Sequence, residues 1–361
     1  MLVFFENDRC LKCGHALGFL PDVLDLCALE TAPDNKNRAF SPPAAGHLYR
    51  RCENGRQFQV CNWMVPEDDS NPLCVACRLN EVIPTLMEIK NHERWEKLEL
   101  AKRRCIYTFL KLGLPLESPA DSGHSSLRFR FLQDQNDAPV QTGHENGVIT
   151  VNIAEADADE REHRRLTFHE PYRTLVGHFR HESGHYYWDR LIANSPNLNR
   201  CRELFGDETL DYDAALRAYY QQGAPAGWQV RTVTAYASSH PWEDWAETWA
   251  HYLHIMDTLD TAASFGLSVD PHNEVNHGSP RNSPVKFDEQ MDFDTLLAGW
   301  IPLTCALNCI NRGMGLSDLY PFVIPSAVVE KLRFIHQVIG SVHQMNRPAD
   351  SISLDMAGAN A

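Results

Sequence analysis

The chain has 361 residues, 43% of them hydrophobic and 22% charged, with a formal net charge of −15. This is ordinary composition for a globular protein, and enough chain for two domains with a sizeable core. The negative balance disfavours general binding to nucleic acid or to an anionic membrane, because both reward positive charge.

No apolar run approaches the ~20 residues needed to span a bilayer. The segment Met1–Asp8 has no basic lead-in and no long apolar core, so it does not read as a secretory signal. Eleven cysteines without an export signal point to thiols or metal ligands in a reducing cytoplasm, not to disulfides.

Residues 1–80 hold seven of those cysteines, are rich in Pro, Gly and Asn, and show no sustained helical period. They read as a small loop-rich module that needs a staple, with metal as the staple. Cys74-x-x-Cys77 has knuckle spacing, and Cys52 and Cys61 precede it at a distance suited to a ribbon. Together they predict a closed, structural four-thiolate zinc site, without which the module unfolds. Cys10-x-x-Cys13-Gly14 is a second, incomplete knuckle, and Cys27 stands alone. Two explanations stay open: an upstream C-x-x-C is missing, or Cys10 and Cys13 pair with Cys74 and Cys77 and leave Cys52 and Cys61 free. The module has eight basic against ten acidic side chains and no basic stripe, so a protein partner or plain packing suits it better than nucleic acid.

Residues 81–120 form a connecting helix and linker. Trp95, Leu98, Ala101, Cys105, Phe109 and Leu112 recur at helical steps, and Gly113 with Pro115 ends the run. The cluster Lys102-Arg103-Arg104 reads as a solvated face of that helix. Two strands follow, with Leu127, Phe129 and Phe131 alternating, then Ile149, Val151 and Ile153. Residues 143–147 look like the turn before the second strand, and the strand over 148–153 is a candidate sheet edge for an extended peptide.

Helices dominate from there: 172–192, 212–220 closed by Gly223, one starting with Pro241 at its first position and running to about 259, 293–310 and 327–342. Residues 270–284 read as a polar surface loop, and 346–361 as a frayed tail. Cys305 and Cys309, one turn apart, read as buried core. The whole is α+β: a small N-terminal zinc ribbon (1–80), then a helix-rich zincin-like domain (121–345).

The most informative stretch is His181-Glu182-Ser183-Gly184-His185, H-E-x-x-H within a helix. Two imidazoles four residues apart share one helical face and can reach one Zn²⁺ at roughly 2.0–2.1 Å. Glu182 projects beside that ion, where it can take a proton from water. A catalytic zinc needs a third protein ligand. Trp188 and Leu191 stand where the H-E-x-x-H-x-x-G-x-x-H pattern would need Gly and His, so the ligand must come from another helix. Glu243 is the candidate, in the first turn after Pro241. Glu247, one turn on, can accept the free N–H of a ligating His. Tyr236 precedes this helix and can donate to an oxyanion. His178 reads as a supporting or core histidine, and His251 and His254 as a polar face of the Glu243 helix.

E-x-x-A-E after H-E-x-x-H, with a Tyr seven residues before the first Glu, resembles the gluzincin subgroup that includes the toxin lethal factors. That resemblance implies Glu243 as zinc ligand and Tyr236 as the electrophilic helper. Phe5-Glu6-Asn7, Cys10-x-x-Cys13-Gly14, Leu17-Gly18, Tyr49-Arg50-Arg51-Cys52, Cys61-Asn62-Trp63, Cys74-x-x-Cys77-Arg78-Leu79-Asn80, Glu170-Pro171-Tyr172-Arg173 and Asn311-Arg312 resemble, over nearly the whole chain, a bacterial family of zinc-ribbon proteins with a zinc-binding metallopeptidase domain. This implies the architecture and says nothing of the substrate.

The resulting expectation is a zinc metallopeptidase with one catalytic and one structural Zn²⁺, acting on a peptide or protein, with Glu182 as general base. Two alternatives stand beside it: a catalytically silent zinc-binding scaffold that recruits a protein through the ribbon, and a zinc amidase acting on a non-peptide amide.

Overall fold

A computed structural model describes residues 3–32, 35–40, 47–117, 125–135, 139–167, 173–269, 287–288 and 290–346. The chain divides into two units, one of residues 1–111 with 115–186, the other of residues 112–114 with 187–361.

The first unit opens with five short strands: β1 (Ala16–Leu20), β2 (Asp25–Ala32), β3 (Asn35–Phe40), β4 (Leu48–Arg51) and β5 (Met64–Pro66). They pair antiparallel in chain order. A short helix α1 (Glu53–Phe58) lies between β4 and β5. Leu20, Cys27, Leu29, Tyr49 and Met64 form a buried cluster in this sheet. The loop-rich module also carries a five-stranded meander, whose strands of three to eight residues are too short to show a clear two-residue period.

β6 (Asn80–Val82) leaves the turn that carries Cys77 and joins a second sheet. Helix α2 (Ile89–Lys111) follows, then β7 (Arg128–Leu132), β8 (Gly143–Glu145) and β9 (Val148–Asn152). The order is β6-β7-β9-β8, with β6, β7 and β9 parallel and β8 antiparallel to β9. Leu127, Phe129, Phe131, Ile149, Val151 and Ile153 are all buried, as their alternation predicts. The expected edge is corrected. β9 is paired on both sides, and β8 takes the outer position. Residues 143–147 are more than a simple turn: they form a short strand, closed by Asn146 (φ 50°) and Gly147 (φ 84°), both left-handed. Two such residues make the tight hairpin turn that suits strand twist.

The unit continues with α3 (Ala158–Thr167) and ends within α4 (Leu175–Leu191), whose last residues belong to the second unit. The expected start of α4 at Tyr172 lies outside the described residues. α2 is no solvated connector. Lys102 and Arg103 are buried, correcting the expected polar face, and Arg104 is exposed and paired with Glu6.

The second unit is helical: α5 (Leu198–Phe205), α6 (Tyr212–Gln222), α7 (Pro241–Ser264), α8 (Phe293–Gly313) and α9 (Ser326–Asn346). Its core is aromatic. Trp245 meets Phe205 at 5.5 Å and Trp249 at 5.9 Å, and Tyr187 stacks on Trp249 at 5.0 Å. His251, read as part of a polar face, is buried, with Nδ1 2.7 Å from the Tyr320 hydroxyl. Cys305 and Cys309, read as core, are exposed. Helix α8 turns Leu296, Trp300 and Leu303 inward instead, and i,i+4 spacing puts the two cysteines on another face. By length and composition alone α8 is apolar enough to cross a membrane, the one such helix among the described residues, which corrects the expectation that no apolar run approaches that length. The polar loop expected at 270–284 and the tail from 347 lie outside the described residues.

A Cβ at Gly147 would sit 2.8 Å from Ser125 Cβ and 3.0 Å from Ser126 O, on a backbone that L-residues avoid. Gly147→Ala is expected to destabilise the protein by about 1–3 kcal/mol. Urea denaturation followed by circular dichroism measures it.

Candidate metal centres

Cys52, Cys61, Cys74 and Cys77 come together, all buried, with every sulfur within 4.8 Å of the others. Cys61 Sγ and Cys74 Sγ are 3.7 Å apart. A tetrahedral zinc with Zn–S bonds of ~2.3 Å needs sulfurs about 3.8 Å apart, so the donor set fits that ion. Backbone N–H groups aim at the sulfurs: Trp63 donates to Cys61 Sγ at 3.4 Å, and Cys74 to Cys52 Sγ at 3.3 Å. Burial pushes the Cys74 thiol well above its ordinary pKa, so metal capture must displace a proton there.

The local chain explains the convergence. Cys52 starts the turn into α1, and Gly55 passes so close to Cys61 O that any Cβ there would overlap it. Only glycine permits that approach. The alternative pairing of Cys10 and Cys13 with Cys74 and Cys77 is thereby overturned. Cys10 and Cys13 stand elsewhere, with His15 Nδ1 3.3 Å from Cys13 Sγ. Among the described residues they belong to no group of three or more potential ligands.

Beneath the cysteines lies a charged network from α2. Glu99 and Lys102 are fully buried, 3.0 Å apart. Glu99 also accepts from Trp95 Nε1 at 3.1 Å and Asn80 Nδ2 at 2.5 Å, and its Oε2 lies 3.8 Å from Cys77 Sγ. Lys102 donates to Asn80, and Arg103 donates to Val60 O at 2.5 Å. Burial alone would lower the Arg103 pKa. The negative charge of Cys61, Glu99, Cys77 and Cys74 outweighs it and raises the value.

The second centre is built on α4 and α7. His181 and His185 lie one turn apart on α4, ring centroids 5.1 Å apart, with Glu182 between them in sequence. Glu243 is buried in the first turn of α7, where the helix dipole favours a carboxylate. The start of α7 is well defined. His240 caps it by accepting from Trp242 N at 3.1 Å, its other ring nitrogen lies 3.1 Å from Leu210 O, and Pro241 follows. Donor atoms of His181, His185 and Glu243 lie within 4.8 Å of one another. Two nitrogens and one oxygen suit zinc and leave a coordination position for water.

The surrounding residues divide into expected and unexpected. His178 Nδ1 is 2.9 Å from Glu155, a fully buried carboxylate that also meets Arg173. Glu247 accepts from Thr234 Oγ1 at 2.7 Å, and Thr234 Oγ1 accepts from Ala237 N, which braces the turn carrying Tyr236. The Tyr236 ring meets Tyr219 edge-on at 5.8 Å. Two further residues join the surroundings of this centre. Tyr212 donates its hydroxyl to Glu243 Oε1 at 2.7 Å. His144, on the outer strand β8, stacks against His185 at 6.2 Å, and its Nε2 accepts from Gly147 N at 3.0 Å. Burial lowers its pKa to about 4, so it stays neutral near pH 7. No spacing rule links 144 or 212 to the motif, so neither left a signal in the sequence.

Residues 91–338 match the family described as "Putative zinc-binding metallo-peptidase", and residues 1–88 match a zinc-ribbon domain. Uncharacterized proteins of Mycobacterium bovis and of two strains of Mycobacterium tuberculosis are each 44% identical over 348 residues, covering 96% of this chain and 95% of the relative. No solved structure matches.

Two outcomes test these centres. Cys74→Ala is expected to lower zinc content by one ion per chain and to melt the β1–β5 sheet, since structural zinc in small modules contributes about 10 kcal/mol or more; elemental analysis and thermal melts read both. Asp244, next to Glu243, is buried with Lys331 Nζ at 2.5 Å. Lys331→Met leaves that carboxylate buried without its partner, and a loss of about 3–5 kcal/mol is expected in denaturant titrations.

Proposed function

The chain belongs to the zinc-binding metallo-peptidase family, with a zinc ribbon ahead of the peptidase domain, and from that premise we propose that it hydrolyses peptide bonds at the centre formed by His181, His185 and Glu243. The single observation supporting this most is the convergence of two imidazoles and one buried carboxylate around a space that one ion can fill.

In this reading the three side chains hold zinc, which when bound polarises the scissile carbonyl and acidifies its water towards a pKa of ~7. Glu182, flanked in sequence by the two ligands, accepts the proton of the attacking water and then returns it to the leaving amine. Tyr236 donates to the oxygen that gains charge during attack. Glu247 accepts a ligand imidazole N–H and sets its tautomer. Helix α4 presents Glu182 and both histidines without a loop between them, so their relative placement costs little entropy. The proposal counts two zinc ions per chain, one in each centre, and a peptide or protein as substrate.

Glu182→Gln keeps the shape of the side chain and removes its basicity. The expected result is full zinc content with cleavage of a peptide library reduced by about 10²–10⁴-fold or more. Equal cleavage by wild type and variant would remove Glu182 from the mechanism.

A further inference from the structure

The proposed ligand Glu243 needs a particular presentation. A carboxylate can bind a metal through one oxygen or both, and two-oxygen binding takes up a position that water and substrate require. Something must hold the second oxygen.

We propose that Tyr212 is a positioning residue for the metal centre, its phenol holding Glu243 Oε1 so that the carboxylate offers only its other oxygen to the ion. This rests on the reading of Glu243 as a zinc ligand. The Tyr212 hydroxyl donates to Oε1 at 2.7 Å, a short, charge-assisted bond. The ring is itself fixed by the start of α7. It meets His240 edge-on at 5.2 Å and Trp242 at 5.9 Å, the two residues that flank Pro241. The chain ahead of Tyr212 is pinned to the same place, because a His240 ring nitrogen lies 3.1 Å from Leu210 O. Asp211 then caps α6 by accepting from Ala214 N at 2.9 Å, which sets the direction in which Tyr212 leaves the backbone. The cap of one helix thus aims a phenol at the first-turn carboxylate of another. Removing the hydroxyl frees Glu243 to rotate, and partners of ligating groups typically change metal affinity by 10–100-fold.

The test uses the full-length protein with Tyr212→Phe. Zinc is titrated against a chelator, with the tetrathiolate zinc as an internal standard. Cobalt(II) is then loaded into protein whose ribbon retains zinc, and its visible spectrum reports coordination number. The expected result is a loss of about 10–100-fold in zinc affinity at the second centre, weaker cobalt bands as the carboxylate turns two-oxygen, and an unchanged melting temperature of the protein freed of metal at that centre. Affinity within about twofold of wild type, with an unchanged cobalt spectrum, overturns the proposal. If Tyr212→Phe fails to fold, 3-fluorotyrosine at position 212 keeps ring and hydroxyl but makes the hydroxyl more acidic; the proposal expects the cobalt spectrum to shift, and no shift overturns it. Glu243→Gln separates the two claims. Undiminished zinc binding in that variant rejects the ligand assignment itself. Lost binding there, with normal binding in Tyr212→Phe, rejects only the role of Tyr212.

Discussion

Burial of charge at the four cysteines shapes the first unit. Four thiolates around one divalent ion carry two surplus negative charges, and all four side chains are buried. An uncompensated buried charge costs several kcal/mol, so cations must come inside with it. Helix α2 supplies Arg103, whose raised pKa reflects the cysteines around it, and Lys102, joined to them through Glu99 and Asn80. The Lys102 ammonium also lies 5.4 Å and 5.6 Å from the ring centres of Phe129 and Phe131 on β7. Cation–aromatic attraction is strongest when both groups are dry, as here. One side chain therefore binds the cysteine region to the second sheet.

That arrangement blurs the boundary between ribbon and peptidase domain. The two family matches divide between residues 88 and 91, yet both sides of that line share one core. β6 emerges three residues after Cys77 and pairs with β7, and α2, on the peptidase side, closes the underside of the cysteine cluster. Metal loss at the cysteines would remove the ion that draws the four sulfurs together over Lys102 and Arg103, leaving Glu99 as their carboxylate partner among the described residues. The strain would fall on α2 and on the sheet that precedes α4. The ribbon is in this sense part of the foundation of the peptidase domain, whatever else it binds.

The parts legible in the sequence are those whose physics is local. H-E-x-x-H needs only one turn of helix, and Pro241 followed by Glu243 needs only a helix start, so both appear as spacing. The alternation of Phe129 and Phe131, or of Ile149 and Val151, likewise needs only its own strand. What the sequence does not reveal depends on distant chain. Lys102-Arg103 looks like any solvated basic pair until the thiols that face it are known. The outer strand β8 is three residues long and gives no period to read. His251 looks polar until Tyr320, far along the chain, supplies its partner. Tyr212 lies 31 residues from Glu243, and only the folded loop over 206–211 brings its hydroxyl there.

The first turn of α7 shows what such placement demands. It carries two consecutive buried acids, Glu243 and Asp244, which successive helical positions point in different directions, so each needs its own partner. Tyr212 meets the first and Lys331 the second. Burial pushes Asp244 up to about 6 despite Lys331, so the folded state holds that proton more tightly than the unfolded chain does. By linkage, Asp244 adds stability below the ordinary aspartate range, and this is lost as pH rises through about 6. At neutral pH the Asp244–Lys331 pair is therefore a weak source of stability. It is better understood as a strut, because Lys331 also donates to Arg231 O at 2.7 Å and so ties α9 to the segment leading into Tyr236. Two buried acids side by side are a costly way to begin a helix. The arrangement makes physical sense if Glu243 must stand at that point with its direction controlled, which is what a metal ligand requires.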